Sequence, residues 1–266
     1  MNSLGILLLT AAAFATATLS GVLGMGGGML LVGVMALLLP ASWVIPVHGV
    51  VQLCSNSTRT LVFLPHVRWR YFVAYSPFLL LGVAGAAAIY ILLLDVNTLG
   101  ALYESDKLEW FKPLIGLFLL LFLVWRRYKP KLRAPPLWLY CPLGAVTGFL
   151  AMFVGATGPF IAPFFLRDDF EKEEVIATKA ACQMVGHGLK IPAFLIIGFE
   201  YSAHLPLLGL LVAGVILGTL TGKKLLSRLN STLFERLFIG LLVLLALHLI
   251  GSWLLTQFVA SPGSSP

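Results

Sequence analysis

Read by position, the chain alternates long apolar runs with short polar stretches, and runs of roughly 18 or more apolar residues are long enough to cross a hydrocarbon core of about 30 Å. Residues 4–40 are apolar almost without pause. As one straight helix they would measure about 56 Å at 1.5 Å per residue, too long for a single crossing. The break is expected at Gly24-Met25-Gly26-Gly27-Gly28, since clustered glycines each weaken a helix by about 1 kcal/mol. The pattern predicts a full helix to about Leu23, a non-helical tip, and a short helix from Met29 to Leu39 stopped by Pro40. Helices over about 44–65, 72–94 and 111–125 follow. A second set repeats the plan: a hairpin over 138–166 broken at Gly155–Gly158, helices over about 175–198, 205–222 and 237–259, and a disordered tail at 261–266.

Polar residues inside these runs are few and patterned. His48, Gln52, Asn56 and Arg59 are spaced to share one helix face, and Lys179, Gln183, His187 and Lys190 repeat the spacing 131 residues later. Upstream, Gly21–Gly28 (GVLGMGGG) matches Gly148–Gly155 (GFLAMFVG) at a separation of 127. The growth of the offset from 127 to 131 places about four inserted residues between the second break and its seam, around Arg167–Lys172. The chain thus divides into a first repeat over 1–130 and a second over 131–260.

Composition sharpens this into a class. With 59% hydrophobic and 11% charged residues, the charged fraction is about half that of a soluble domain, so the chain reads as all-α and polytopic in a membrane. A transmembrane β-barrel is excluded, because its strands alternate apolar and polar residues. The net charge of +7 does not indicate nucleic acid, because the basic residues crowd into short loops and report orientation instead. Cys54, Cys141 and Cys182 lie singly in apolar segments, without metal or disulfide spacing. No basic residue precedes the first run, and a similar run recurs mid-chain, so residues 3–24 read as structure rather than a signal peptide.

Loop charge then sets topology. Basic loops at 66–71 and 126–136 on the cytoplasmic side, with the acidic loop at 95–109 opposite, give proper alternation in the first half. A cytoplasmic loop at 223–236 requires the segment 138–166 to begin and end on one side, as a broken hairpin does. The corresponding loops of the two halves then face opposite sides. The fold expected is two inverted-topology repeats with glycine-broken, discontinuous helices, a layout shared by many secondary transporters.

Unwound backbone at membrane depth persists only around protein or a water-filled cavity, so two equivalent breaks point to one central site. Short helices starting near Met29 and Pro159 would turn free N–H groups and a positive dipole end toward it, favouring an anion. Arg59 and Lys190 reinforce that sign unless they snorkel to the interface. Gln52, Asn56, Gln183 and Thr157 supply hydrogen bonds, with interhelical packing as the alternative role for the glutamines. His48 and His187 are titratable but have no acidic partner in the spans, so buried neutral rings are expected. An intramembrane enzyme is disfavoured: the deep segments hold no Asp, and the serines have no nucleophile turn.

The glycine-rich stretch Gly21, Gly24, Gly26, Gly27 and Gly28 near the N-terminus, followed by Pro40 and by a degenerate second copy mid-chain, resembles the TauE/SafE sulfite and sulfoacetate exporter family over essentially the whole chain. The resemblance implies a secondary transporter that exports sulfite, sulfoacetate or related organosulfur anions, and it implies that Gly26, Gly27 and Gly28 and the break from Gly155 to Gly158 lie close to substrate. The chain departs from a strict duplication at Gly155-Ala156-Thr157-Gly158-Pro159, which lacks the triple glycine. The combined expectation is a multi-pass inner (plasma) membrane exporter working by alternating access. Its substrate site is expected to comprise Gly26, Gly27, Gly28, Gln52, Asn56, Arg59, Gly155, Thr157, Gly158, Gln183, His187 and Lys190. No catalytic residue, metal or cofactor is expected, and the partners are the anion, the bilayer and, as an open question, a second copy of the chain. Proton coupling also stays open, because an anion leaving a negative-inside cell already gains about 2.3 kcal/mol per charge per 100 mV. A small-anion channel is the alternative.

Overall fold

The structure is a computed structural model describing residues 3–23, 26–93, 111–128, 135–165, 169–225 and 231–259. The acidic loop at 95–109, Lys129 to Arg133 of the basic loop, Gly24, Met25, Arg167, Arg228 and the tail at 261–266 lie outside those residues.

Lipid offers no hydrogen-bond partners to a spanning backbone, so each apolar run satisfies its own peptide groups as a helix. The first hairpin is α1 (Ser3–Leu23) and α2 (Gly27–Leu38), followed by α3 (Ala41–Val62), a 3-10 turn at Leu64–His66, α4 (Trp69–Leu93) and α5 (Phe111–Tyr128). After a 3-10 turn at Leu137–Leu139 come α6 (Tyr140–Val154) and α7 (Gly158–Phe165), the second hairpin. Then follow α8 (Lys172–Ile196), a 3-10 turn at Tyr201–His204, α9 (Leu205–Leu225) and α10 (Ser231–Val259). The bounds lie near the expected ones. At α10 the helix starts at Ser231 rather than near 237, since charged residues are good helix formers and need not end a helix where the apolar run ends.

Two starts have local causes. Pro40 is the N-cap of α3, and proline's fixed φ and missing N–H suit the beginning of a helix. At α8 a capping box closes the first turn: the Glu171 backbone N–H donates to Glu174 Oε2 at 3.0 Å, and the Glu171 side chain accepts from the backbone N–H of Glu174.

Helix bounds correct the expected register. Leu23 and Val154 end the long arms, Gly27 and Gly158 begin the short ones, and Ala41 and Lys172 begin the seam helices, every pair separated by 131 residues. No four-residue insertion near Arg167–Lys172 is therefore needed. The match of Gly21–Gly28 to Gly148–Gly155 lies one helical turn out of register, because small residues recur four apart along these helices and a turn's slip still aligns them.

Small residues also set the packing. Along α1 and α9, Thr10 meets Gly214, the Phe14 carbonyl meets Gly218 and the Thr18 carbonyl meets Gly222, so the two helices run in the same sense. Along α4 and α6, Tyr75 meets Gly144 and Leu79 meets Gly148 in the same manner. A Cβ on Gly218 would stand 2.2 Å from the Phe14 oxygen, and one on Gly82 2.0 Å from the Ala145 oxygen. Glycine is required at both positions for the backbones to touch. Further in, α3 packs on α9 and α8 on α4, while α3 and α8 cross each other at the centre.

The outer faces carry exposed leucines such as Leu61, Leu92 and Leu247, the surface of a chain that meets lipid rather than water. Among the described residues, Ser3–Val22, Trp69–Leu92, Leu137–Val154 and Tyr201–Leu225 are long and apolar enough to cross a membrane on composition alone. α3 and α8 fall short of that standard because they carry the seams, and the fold places them inside.

Candidate functional site between the two breaks

Both breaks turn on a glycine at positive φ, Gly26 at 92° and Gly155 at 80°, a backbone region that side chains with a Cβ rarely enter. The turns are made from opposite ends. Gly26 immediately precedes the short helix α2, whereas Gly155 immediately follows the long helix α6. At the first break the chain doubles back on α1: the Gly27 N–H donates to Ser20 Oγ at 3.0 Å, and a Cβ on Gly27 would lie 2.0 Å from the Thr16 carbonyl oxygen.

Between the breaks lies a small, partly open pocket. α1 contributes Ser20, the first break and α2 contribute Gly26, Gly28 and Met29, and the second break and α7 contribute Ala156 and Gly158. The seam helices supply the rest, His48, Gln52, Asn56 and Arg59 from α3 and Lys179, Gln183 and His187 from α8. A Cβ on Gly28 would approach the Gln52 amide to 3.1 Å, and one on Gly158 the Gln183 amide to 3.2 Å. The missing side chains leave these amides their room.

The polar groups are buried and incompletely paired. Arg59 is 5% exposed, with Nη1 donating to Asn56 Oδ1 at 3.1 Å and Nη2 to Ser55 Oγ at 3.3 Å. Because Asn56 spends its oxygen on the guanidinium, its amide nitrogen is a donor with no partner, and Arg59 Nε is another. Lys190 is fully buried and donates from Nζ to the Gly155 carbonyl oxygen at 2.6 Å and to His187 Nδ1 at 3.4 Å. His48 Nε2 lies 2.8 Å from the Gly28 carbonyl oxygen, which only accepts, so Nε2 carries the hydrogen and Nδ1 a lone pair that meets no donor. Asp and Glu are absent from the lining residues. Buried positive charge without a counter-ion costs several kcal/mol, as do buried donors without acceptors. A small anion rich in oxygen relieves both.

The sulfite exporter TauE/SafE family model matches residues 9–249. The chain belongs to the TauE/SafE family. It is therefore a multi-pass membrane protein of a family of sulfite and organosulfur exporters, transporters rather than enzymes. No curated protein and no solved structure matches it.

On this TauE/SafE chain the expected residues divide. Gly26, Gly28, Gln52, Asn56, Arg59, Gly158, Gln183 and His187 line the one space. Gly27, Gly155, Thr157 and Lys190 do not line it. Gly27 packs on α1, the Thr157 carbonyl accepts the first bonds of α7 from Phe160 and Ile161, and Lys190 closes the second break through the Gly155 carbonyl. Arg59 does not snorkel: it is held inside by Asn56 and Ser55. Ser20, Met29, His48, Ala156 and Lys179 line the pocket beyond the expected set. His48 and Lys179 stand at the first positions of the two seams, so the seam spacing already carried them. Ser20 is reached only through the fold-back of the first hairpin, which no spacing discloses.

Proposed function

We propose that the protein exports a small sulfur-containing oxyanion across the cell's inner membrane by alternating access between two inverted halves, with the pocket between the breaks as its single binding site. The observation that carries this reading is the pocket lining, where unpartnered buried donors on Asn56 and Arg59 stand with the Gln52 and Gln183 amides and no carboxylate. Donors fixed before the anion arrives need no reorganisation to bind it, and charge-assisted bonds to an oxyanion are about twice as strong as neutral ones.

The inversion is supported by α3 and α8. They are equivalent by sequence yet run in opposite senses where they meet, Gly49 lying against Lys190 and Leu53 against Gly188, as a two-fold axis in the membrane plane requires. Each half supplies one break and one glutamine, so rocking one half against the other opens the same pocket to alternate sides.

The test is a titration of purified protein with sulfite, sulfoacetate and thiosulfate, paired with counterflow in proteoliposomes. Gln52→Ala and Gln183→Ala are each expected to weaken binding about tenfold, one hydrogen bond to a charged ligand, and trans-side anion is expected to accelerate uptake. Unchanged affinity in both variants would remove the site, and uptake without trans-acceleration would replace the carrier with a channel.

A further inference from the structure

Two histidines line the pocket, and their surroundings differ. His187 Nδ1 is occupied, because the Lys190 ammonium donates toward it at 3.4 Å. A proton added there would set one donor against another. His48 is the reverse case. Its Nε2–H is committed to the Gly28 carbonyl, while Nδ1 is fully buried, has no partner, and sits where a Cβ on Gly155 would stand 3.5 Å away. The two rings meet edge to face at 5.6 Å, so a line of nitrogen groups runs from the Gly155 carbonyl through Lys190 and His187 to His48 and the Gly28 carbonyl, joining the two breaks.

We infer that His48 Nδ1 takes up a proton when the anion binds, so that anion and proton bind as a pair. This rests on the anion-site reading given above. The groups facing His48 fix the sign of the coupling. From α8 it meets His187, which Lys190 contacts in turn; at the two breaks it meets the Gly28 carbonyl and Gly155; and the same pocket is lined by Met29, Ala156, Arg59 of its own helix and Lys179 of α8. All the charged members are cations. In the empty pocket a proton on His48 adds to uncompensated positive charge. With an anion seated, the same proton is matched in charge. Linkage makes the effect mutual: the anion raises affinity for the proton, and the proton raises affinity for the anion by the same factor. No bond is made or broken beyond transfer of one proton from water to Nδ1.

The experiment is calorimetric titration of the purified full-length protein with thiosulfate, repeated in buffers of different ionisation enthalpy and across neutral pH. Thiosulfate is the anion of a strong acid and carries no proton of its own there, so any proton taken up belongs to the protein. Wild type is expected to take up close to one proton per anion, with affinity falling about tenfold per pH unit where His48 is protonated only in the bound state. His48→Gln, whose amide N–H still reaches the Gly28 carbonyl, is expected to bind thiosulfate with no proton uptake and a flat pH profile. His187→Gln changes the pocket lining and is expected to weaken thiosulfate binding, while still taking up close to one proton per anion bound. Should His48→Gln fail to fold, His48→Asn replaces it in the same comparison. Thiosulfate binding without proton uptake in wild type overturns the inference and leaves the anion site standing, as does uptake lost in His187→Gln rather than His48→Gln. Absence of thiosulfate binding in folded wild-type protein overturns both.

Discussion

The two seams occupy equivalent positions and do different work. On α3, Arg59 is held by Asn56 and Ser55, and the bonds between them leave Asn56 Nδ2 and Arg59 Nε aimed at nothing. On α8, Lys190, the counterpart of Arg59, spends its ammonium on the Gly155 carbonyl and on His187. One seam keeps donors without partners and the other seals backbone. The planar guanidinium keeps a spare N–H after making two bonds, whereas the ammonium is absorbed by a carbonyl left free by an unwound turn. The two cations stand at matching seam positions, and the unequal breaks give them unequal surroundings.

The sharpest way to break this comparison is to exchange the charges for apolar groups. Arg59→Met is expected to lower anion affinity about a hundredfold, through the loss of a buried charge and of the support for Asn56, with the protein still folded. Lys190→Met is expected to act chiefly on stability, read as a lower thermal midpoint, because the Gly155 carbonyl is left buried without a donor. Equal affinity losses in the two variants would erase the distinction.

Where the halves are alike, equal effects are expected. Gly82→Ala and Gly218→Ala each drive a Cβ onto a backbone carbonyl of the partner helix, a clash that a side-chain rotation cannot relieve. Each should destabilise by about 1–3 kcal/mol in a thermal or denaturant assay. Gly85→Ala and Gly209→Ala, where a Cβ meets nothing within 4 Å, are neutral controls. A smaller change separates the glutamines: Gly28→Ala and Gly158→Ala crowd the Gln52 and Gln183 amides at their flexible ends, and each should weaken anion binding by a few-fold with little change in folding.

The smallest effect lies at the polar end of the molecule. Arg68 Nε sits 2.7 Å from Glu174 Oε1, and the hydrogen bond from Arg68 holds the Glu174 carboxyl below its ordinary value of 4.5. A carboxyl lowered by folding contributes stability that is complete above its unfolded value and fades as pH falls through the folded one. Wild type should therefore lose a slight stabilisation below about pH 4.5, and Glu174→Gln should show none of that dependence in a thermal scan.

Much of this was legible in the sequence. The apolar runs, the glycine breaks and the spacing of His48, Gln52, Asn56 and Arg59 led to the helices and to the seam that lines the pocket. The offset at the breaks misled, because a letter match between small residues tolerates a slip of one turn and only helix ends fix the register. The fate of Lys190 was hidden for another reason. Whether a buried cation faces a cavity or caps a carbonyl depends on where the backbone unwinds to within one residue, and glycine clusters mark the break only to within several. The donors left over on Asn56 and Arg59 were equally out of reach, since they arise from a bond between two seam residues that spacing makes neighbours but does not pair.

The central claim is that the anion sits between the breaks against the α3 donors. It is tested most directly by an experimental structure of the protein with selenite, which mimics sulfite and scatters anomalously. One anomalous peak is expected in the pocket, within hydrogen-bond reach of Arg59 Nε and Asn56 Nδ2 and between Gly28 and Gly158. A peak elsewhere, or an empty pocket at saturating selenite, would contradict it.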